Sequence, residues 1–98
     1  MKRDEAIKIL RSNREALEAV GVAHAYLFGS VARDEADPDS DIDVMIDVAY
    51  EPFTIFKIMD VQHTLEDLLH KKVDVVIRAD ALEGTRLRDI VPQAVHVF

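Results

Sequence analysis

Two short apolar segments carry acids where β-strands seldom do: Asp41 and Asp43 in Asp41-Ile42-Asp43-Val44-Met45-Ile46, and Asp74 in Val73-Asp74-Val75-Val76-Ile77. Side chains alternate along a strand, so Asp41 and Asp43 share one face, about 6.6 Å apart along the chain. Brought close together, three carboxylates repel and raise one another's pKa, a cost that a bound cation removes. With no cysteine in the chain, the ligands are oxygens, which suits magnesium or manganese rather than zinc. Magnesium keeps waters and takes further ligands from substrate phosphates, so the acids point to a nucleoside triphosphate. Asp-x-Asp alone is usually a solvated strand face, and an edge position would also explain Asp74.

A fourth feature is Gly29-Ser30, which ends an apolar run ahead of a short helical segment near Val31-Ala32-Arg33. Glycine lets backbone approach a phosphate closely, serine offers a hydroxyl, and a helix start presents free amides. If the first and second strands run antiparallel, the end of one meets the start of the other, and Gly29-Ser30 comes next to Asp41 and Asp43. Taken singly, a Gly-Ser pair is most often only a turn.

These residues depend on the elements that hold them. Ile7, Leu10, Leu17 and Val20 lie at helical spacing, which predicts one amphipathic helix from about Arg3 to Val20, ended by Gly21. Residues 23–28 read as a first strand, 41–48 as a second with Ile42, Val44 and Ile46 on one face, and 73–77 as a third. Between the last two, Ile55, Ile58, Met59, Leu65, Leu68 and Leu69 predict a helix over 53–70, with Thr54 a candidate cap. Leu82 to Val91 predict another helix halted before Pro92, and residues 94–98 an edge strand. A helical link favours a parallel crossover between the second and third strands, which sets Asp74 beside the Asp41/Asp43 pair. The expectation is an α/β sandwich with one sheet, a single domain over residues 1–98.

Composition bounds the rest. Apolar residues make up 49% and charged residues 32% of the 98 residues, a globular balance unlike that of a disordered chain. A chain of this size buries roughly 60 to 70% of its unfolded surface, enough for one core but not for a deep pocket as well. No apolar signal core or spanning segment is present, and a cytoplasmic location is expected. The formal net charge of −7 repels nucleic-acid phosphates and anionic membranes, so neither is expected as a direct partner.

Gly29-Ser30, ten intervening residues, Asp41-x-Asp43 and the later isolated Asp74 together resemble the signature of the DNA polymerase β-like nucleotidyltransferase superfamily. The fuller string Leu27-Phe28-Gly29-Ser30-Val31-Ala32-Arg33-Asp34-Glu35, continuing to Pro38-Asp39-Ser40-Asp41-Ile42-Asp43, resembles its minimal nucleotidyltransferase (MNT) branch, and the resemblance covers nearly the whole chain. It implies the nucleotidyltransferase fold, α/β (α+β), with a small mixed sheet flanked by helices. It also implies two magnesium ions at Asp41, Asp43 and Asp74, and transfer of a nucleoside monophosphate with pyrophosphate leaving. Asp41 and Asp43 would carry the metals and the triphosphate, and Asp74 would contact the second metal and help deprotonate the acceptor hydroxyl. Gly29, Ser30 and Arg33 would serve the nucleotide phosphates. Asp34 departs from the pattern, since members of this branch often have glycine there; it sets a negative charge beside the proposed phosphate site.

Stand-alone proteins of this kind resemble antitoxins paired with a HEPN-domain toxin, a ribonuclease silenced when AMP is attached to a tyrosine. The resemblance therefore implies ATP as substrate and a HEPN-domain toxin as partner in a hetero-oligomer. The alternatives are an antitoxin that neutralises by binding alone, and nucleotidyl transfer to a small molecule. His24, His63, His70 and His96 lack metal-ligand spacing and receive no role. Tyr26 and Phe28 are expected in the core, and Phe53, Ile55 and Phe56 in the core or, less commonly, at a partner surface.

Overall fold

The computed structural model describes residues 1–35, 37, 40–78 and 94–98. The helix expected between Leu82 and Val91, and Pro38-Asp39 of the polar turn, lie outside the described residues. The N-terminal apolar stripe forms two helices rather than one, α1 (Arg3–Ser12) and α2 (Arg14–Ala19). Between them Asn13 leaves helical geometry (φ −114°, ψ 23°), and its side-chain amide donates to the Ile9 carbonyl at 2.8 Å. Asparagine competes with helical backbone through such local bonds, which is why a continuous stripe splits there. Both halves still bury the same stripe through Ala6, Leu10 and Leu17. Gly21 ends α2 at φ 98°, a left-handed conformation that favours glycine.

Four strands follow among the described residues: β1 (Val22–Phe28), β2 (Ile42–Val48), β3 (Val73–Ile77) and β4 (Val95–His96). They form a mixed sheet in the order β3-β2-β1-β4. β1 is antiparallel to both its neighbours, whereas β2 and β3 are parallel. A short helix, α3 (Gly29–Ala32), turns the chain at the end of β1, and α4 (Ile55–Leu69) makes the crossover from β2 to β3. Thr54 caps α4, its Oγ1 accepting from the Lys57 N–H at 3.3 Å.

Alternation along the strands sorts the side chains by face. On one face Ala25, Leu27, Ile42, Val44, Ile46 and Val73 pack with Ala6, Leu10 and Leu17 of the N-terminal helices and with Val61, Leu65 and Leu69 of α4. The stripe that α4 buries is the i, i+4, i+8 set from Val61, and Ile55 and Met59 fall off it by helical angle. Both are exposed, as is Phe56 at 74%, so for Ile55 and Phe56 the commoner expectation, core burial, is corrected to the surface. On the other face Phe28 and Met45 form a small second cluster with Tyr26, Val76 and Ala94 against it.

Candidate active site

Parity along β2 and β3 puts Asp43 and Asp74 on the face away from the main core, one residue from buried neighbours on each strand. They are Cα partners in the parallel register, on backbones about 4.8 Å apart. β3 is an edge strand among the described residues and Asp74 is exposed, which accounts for an aspartate between valines. Asp41 stands one residue ahead of β2 and is exposed, while Asp43 is half-buried.

The turn after β1 meets the same carboxylate. Phe28 pairs with Asp43 across the antiparallel ladder, so Gly29 comes directly against it. Gly29 adopts φ 71°, and a Cβ added there would collide with Asp43 Oδ2 and sit 3.1 Å from its Cγ. Both the left-handed backbone and the close approach require glycine. Ser30 follows within α3, whose Val31 and Ala32 anchor the turn in the core. Arg33, at the end of α3, pairs through Nε with Glu35 Oε2 at 3.1 Å and remains about half exposed.

Asp43 registers its burial and the charges of Asp74, Asp41 and Arg33. Burial holds its carboxyl above the usual range first, then the negative charges of Asp74 and Asp41, while Arg33 pulls the other way. Mutual repulsion of this kind marks a place that a cation would relieve. Among the described residues, however, no three His, Asp or Glu side chains already converge as a metal cage. Asp43 and Asp74 come together in register, and Asp41 stays at the exposed lead into β2. Such a donor set fits an ion that keeps several waters and borrows phosphate oxygens, as magnesium does. Two shallow hollows elsewhere lie on α1 and α2, lined by residues such as Asp4, Lys8, Arg11 and Glu15, and none of the three acids borders them.

A second polar group occupies the same sheet face beyond Met45, and reading the sequence did not single it out. Tyr26 donates its hydroxyl hydrogen to Asp47 Oδ2 (3.2 Å), and Arg78 Nε donates to Asp47 Oδ1 at 2.7 Å. Tyr26 is therefore half-buried with a polar end rather than a plain core residue. The His96 ring lies 5.2 Å from that of Tyr26 and 6.1 Å from that of His24. Asp47 shares the parity of Asp43 on β2, a signal the alternation already contained; Arg78 is 31 residues away and carries no local signal.

This arrangement has counterparts among known proteins. A family model described as Polymerase beta, Nucleotidyltransferase matches residues 5–98, and the chain belongs to that family of nucleotidyltransferase enzymes. Within the family its likeness is to minimal members. It is 35% identical over 92 residues to the protein adenylyltransferase MntA of Thermococcus cleftensis, covering 90% of this chain and 92% of the relative. A solved structure assigned as a minimal nucleotidyltransferase superposes with a TM-score of 0.70 at 32% identity, covering 97% of this chain and 95% of that one. A chain of a toxin–antitoxin crystal structure with AMP-PNP superposes with a TM-score of 0.68 at 25% identity, over 100% of this chain and 73% of that one.

Proposed function

We propose that this chain moves AMP from ATP to a hydroxyl of a partner protein, with a tyrosine of a HEPN-domain ribonuclease toxin as the acceptor and antitoxin action as the outcome. The observation that carries this is the in-register pair Asp43–Asp74 with the Gly29 turn packed against Asp43. Relatives support the protein acceptor: one is named a protein adenylyltransferase, and another solved chain belongs to a toxin–antitoxin structure with AMP-PNP. The reading needs enzyme and toxin in one compartment, which we take to be the cytoplasm.

In this reading Asp41, Asp43 and Asp74 would hold two magnesium ions, which would supply positive charge to an in-line displacement. Gly29 backbone and the Ser30 hydroxyl receive the triphosphate, and Arg33 adds charge to it. Asp74, the more exposed of the register pair, takes the proton from the acceptor hydroxyl. The hydroxyl oxygen bonds to the α-phosphorus, the bond from that phosphorus to the bridging oxygen breaks, and pyrophosphate departs.

The test is intact-protein mass spectrometry of a HEPN-domain partner after incubation with this chain, ATP and magnesium, beside an Asp41→Ala/Asp43→Ala control. A mass gain equal to AMP, seen only with the intact acids and mapped to tyrosine, is the expected result; an unmodified partner sinks the proposal. A contact-only antitoxin is the second reading, favoured by the exposure of Ile55 and Phe56 on α4. Neutralisation that survives replacement of all three aspartates by alanine would select it.

A further inference from the structure

Asp34 follows the end of α3, and its surroundings give it a task. It lies at φ 58°, in the left-handed region. Its N–H donates to the Val31 carbonyl at 3.0 Å, and the Glu35 N–H reaches back to the Ser30 carbonyl at 2.8 Å. Those two bonds make a Schellman ending for α3, whose left-handed position is usually glycine. Its carboxylate is turned to another element: Oδ1 accepts from the backbone N–H of Arg3, the first residue of α1, at 3.1 Å. Lys2, ahead of α1, supplies no side-chain cap. Asp34 thus provides, from 31 positions away, a side-chain acceptor that Lys2 does not supply to the start of α1. In return Arg3 Nη1 donates to the carbonyl of Ala32, the last residue of α3, at 3.4 Å.

We propose that Asp34 is a positioning residue for nucleotide binding: it latches the end of α3 to α1 and so fixes the turn that presents Gly29 and Ser30. This rests on the reading that those two residues receive the triphosphate. α1 is a firm anchor, because Ala6 and Leu10 are fully buried. The latch extends to the site through the Glu35-to-Ser30 bond, which ties the loop to Ser30 itself.

Two roles for Asp34 predict opposite signs. As a mere negative charge beside the phosphates, its removal would tighten nucleotide binding; as a latch, its removal weakens it. The measurement is calorimetric titration of AMP-PNP with magnesium into wild type, Asp34→Gly and Asp34→Asn, with a thermal melt of each. Glycine keeps the left-handed turn and loses the latch, whereas asparagine keeps an acceptor oxygen and loses the charge. Asp34→Gly should raise Kd about fivefold, the worth of one modest hydrogen bond, with the KM for ATP rising and kcat unchanged. Asp34→Asn should bind as wild type. Wild-type or tighter binding by Asp34→Gly overturns the latch. If Asp34→Gly does not fold, Arg3→Pro decides, since proline is tolerated at the first helical position and removes the N–H that Asp34 accepts from as well as the guanidinium arm: weakened binding supports the latch and wild-type binding overturns it. A wild-type chain that binds AMP-PNP yet modifies no partner overturns the proposed adenylylation and leaves the latch readable from Kd; one that binds no nucleotide overturns both.

Discussion

Toward the helices, Leu27, Val44, Ile46 and Val73 are fully buried, while on the opposite face of the same strands Asp43 and Asp47 are half-buried and Asp74 is exposed. Each acid is fixed from behind. Ile42 and Val44 flank Asp43, Val73 and Val75 flank Asp74, and all four belong to or pack against the main core. Period-two alternation thus separates the two demands on one strand: the apolar neighbours hold the backbone, and the acid between them is left free to serve chemistry. The faces should therefore respond differently to substitution, the acidic face losing activity with its fold intact and the apolar face losing fold.

The largest effect belongs to the acids. Asp43→Asn or Asp74→Asn should cut AMP transfer by about 10³-fold or more, as expected for loss of a metal-holding or proton-accepting carboxylate. Without divalent cation Asp43→Asn should also melt above wild type, since burial and the charges of Asp74 and Asp41 disfavour the Asp43 carboxylate. Magnesium with AMP-PNP should then raise the melting temperature of wild type but not of the variant. A variant that melts below wild type would show that Asp43 holds the fold, and the division between faces would fail.

Next comes the apolar face. Leu27 is fully buried on β1, and Leu27→Ala should cost about 2–5 kcal/mol in urea unfolding, the usual range for a buried leucine. A cost under 1 kcal/mol would mean that this face tolerates a gap as a surface would. Gly29→Ala joins the two faces. Its left-handed backbone should cost about 1–2 kcal/mol, and the added methyl must displace Asp43. Activity should therefore fall further than stability; a variant with unchanged transfer would separate the Gly29 turn from the acids.

What the sequence disclosed and what it hid follow from range. The period-two runs around Asp43 and Asp74 were legible, as was their parallel pairing, because a helix of known period lies between them. Thr54 and Gly21 were legible for the same reason, since caps act within one turn. The break at Asn13 was hidden because a side-chain bond to Ile9 outweighed a continuous apolar stripe. Exposure of Ile55 and Met59 was hidden because apolar identity alone does not say which helical angle meets the sheet. Asp34 looked like a charge misplaced beside phosphate, and only tertiary structure brings Arg3 to it.

The smallest expected effect tests whether the far end of the polar face is as enclosed as its contacts suggest. The Tyr26 hydroxyl is held above its usual value of 10.0, first by burial, then by the charge of Asp47, with Arg78 pulling down. Tyr26 and Tyr50 are the two tyrosines of the chain, so Tyr50→Phe leaves one phenol to follow by ultraviolet absorbance. A folded-state pKa above the unfolded value means that the fold prefers the protonated phenol. That contribution to stability is complete below the unfolded pKa and is lost as pH rises through the folded one, so the protein should weaken slightly in alkali above about pH 10. Asp47→Asn removes both the charge and the charged acceptor, so Tyr26 should titrate lower and the alkaline loss should shrink. If Tyr26 titrates at or below 10.0 in Tyr50→Phe, the Tyr26–Asp47–Arg78 group is solvated. The contrast between the faces would then be one of packed core against free surface, not of core against an enclosed polar layer.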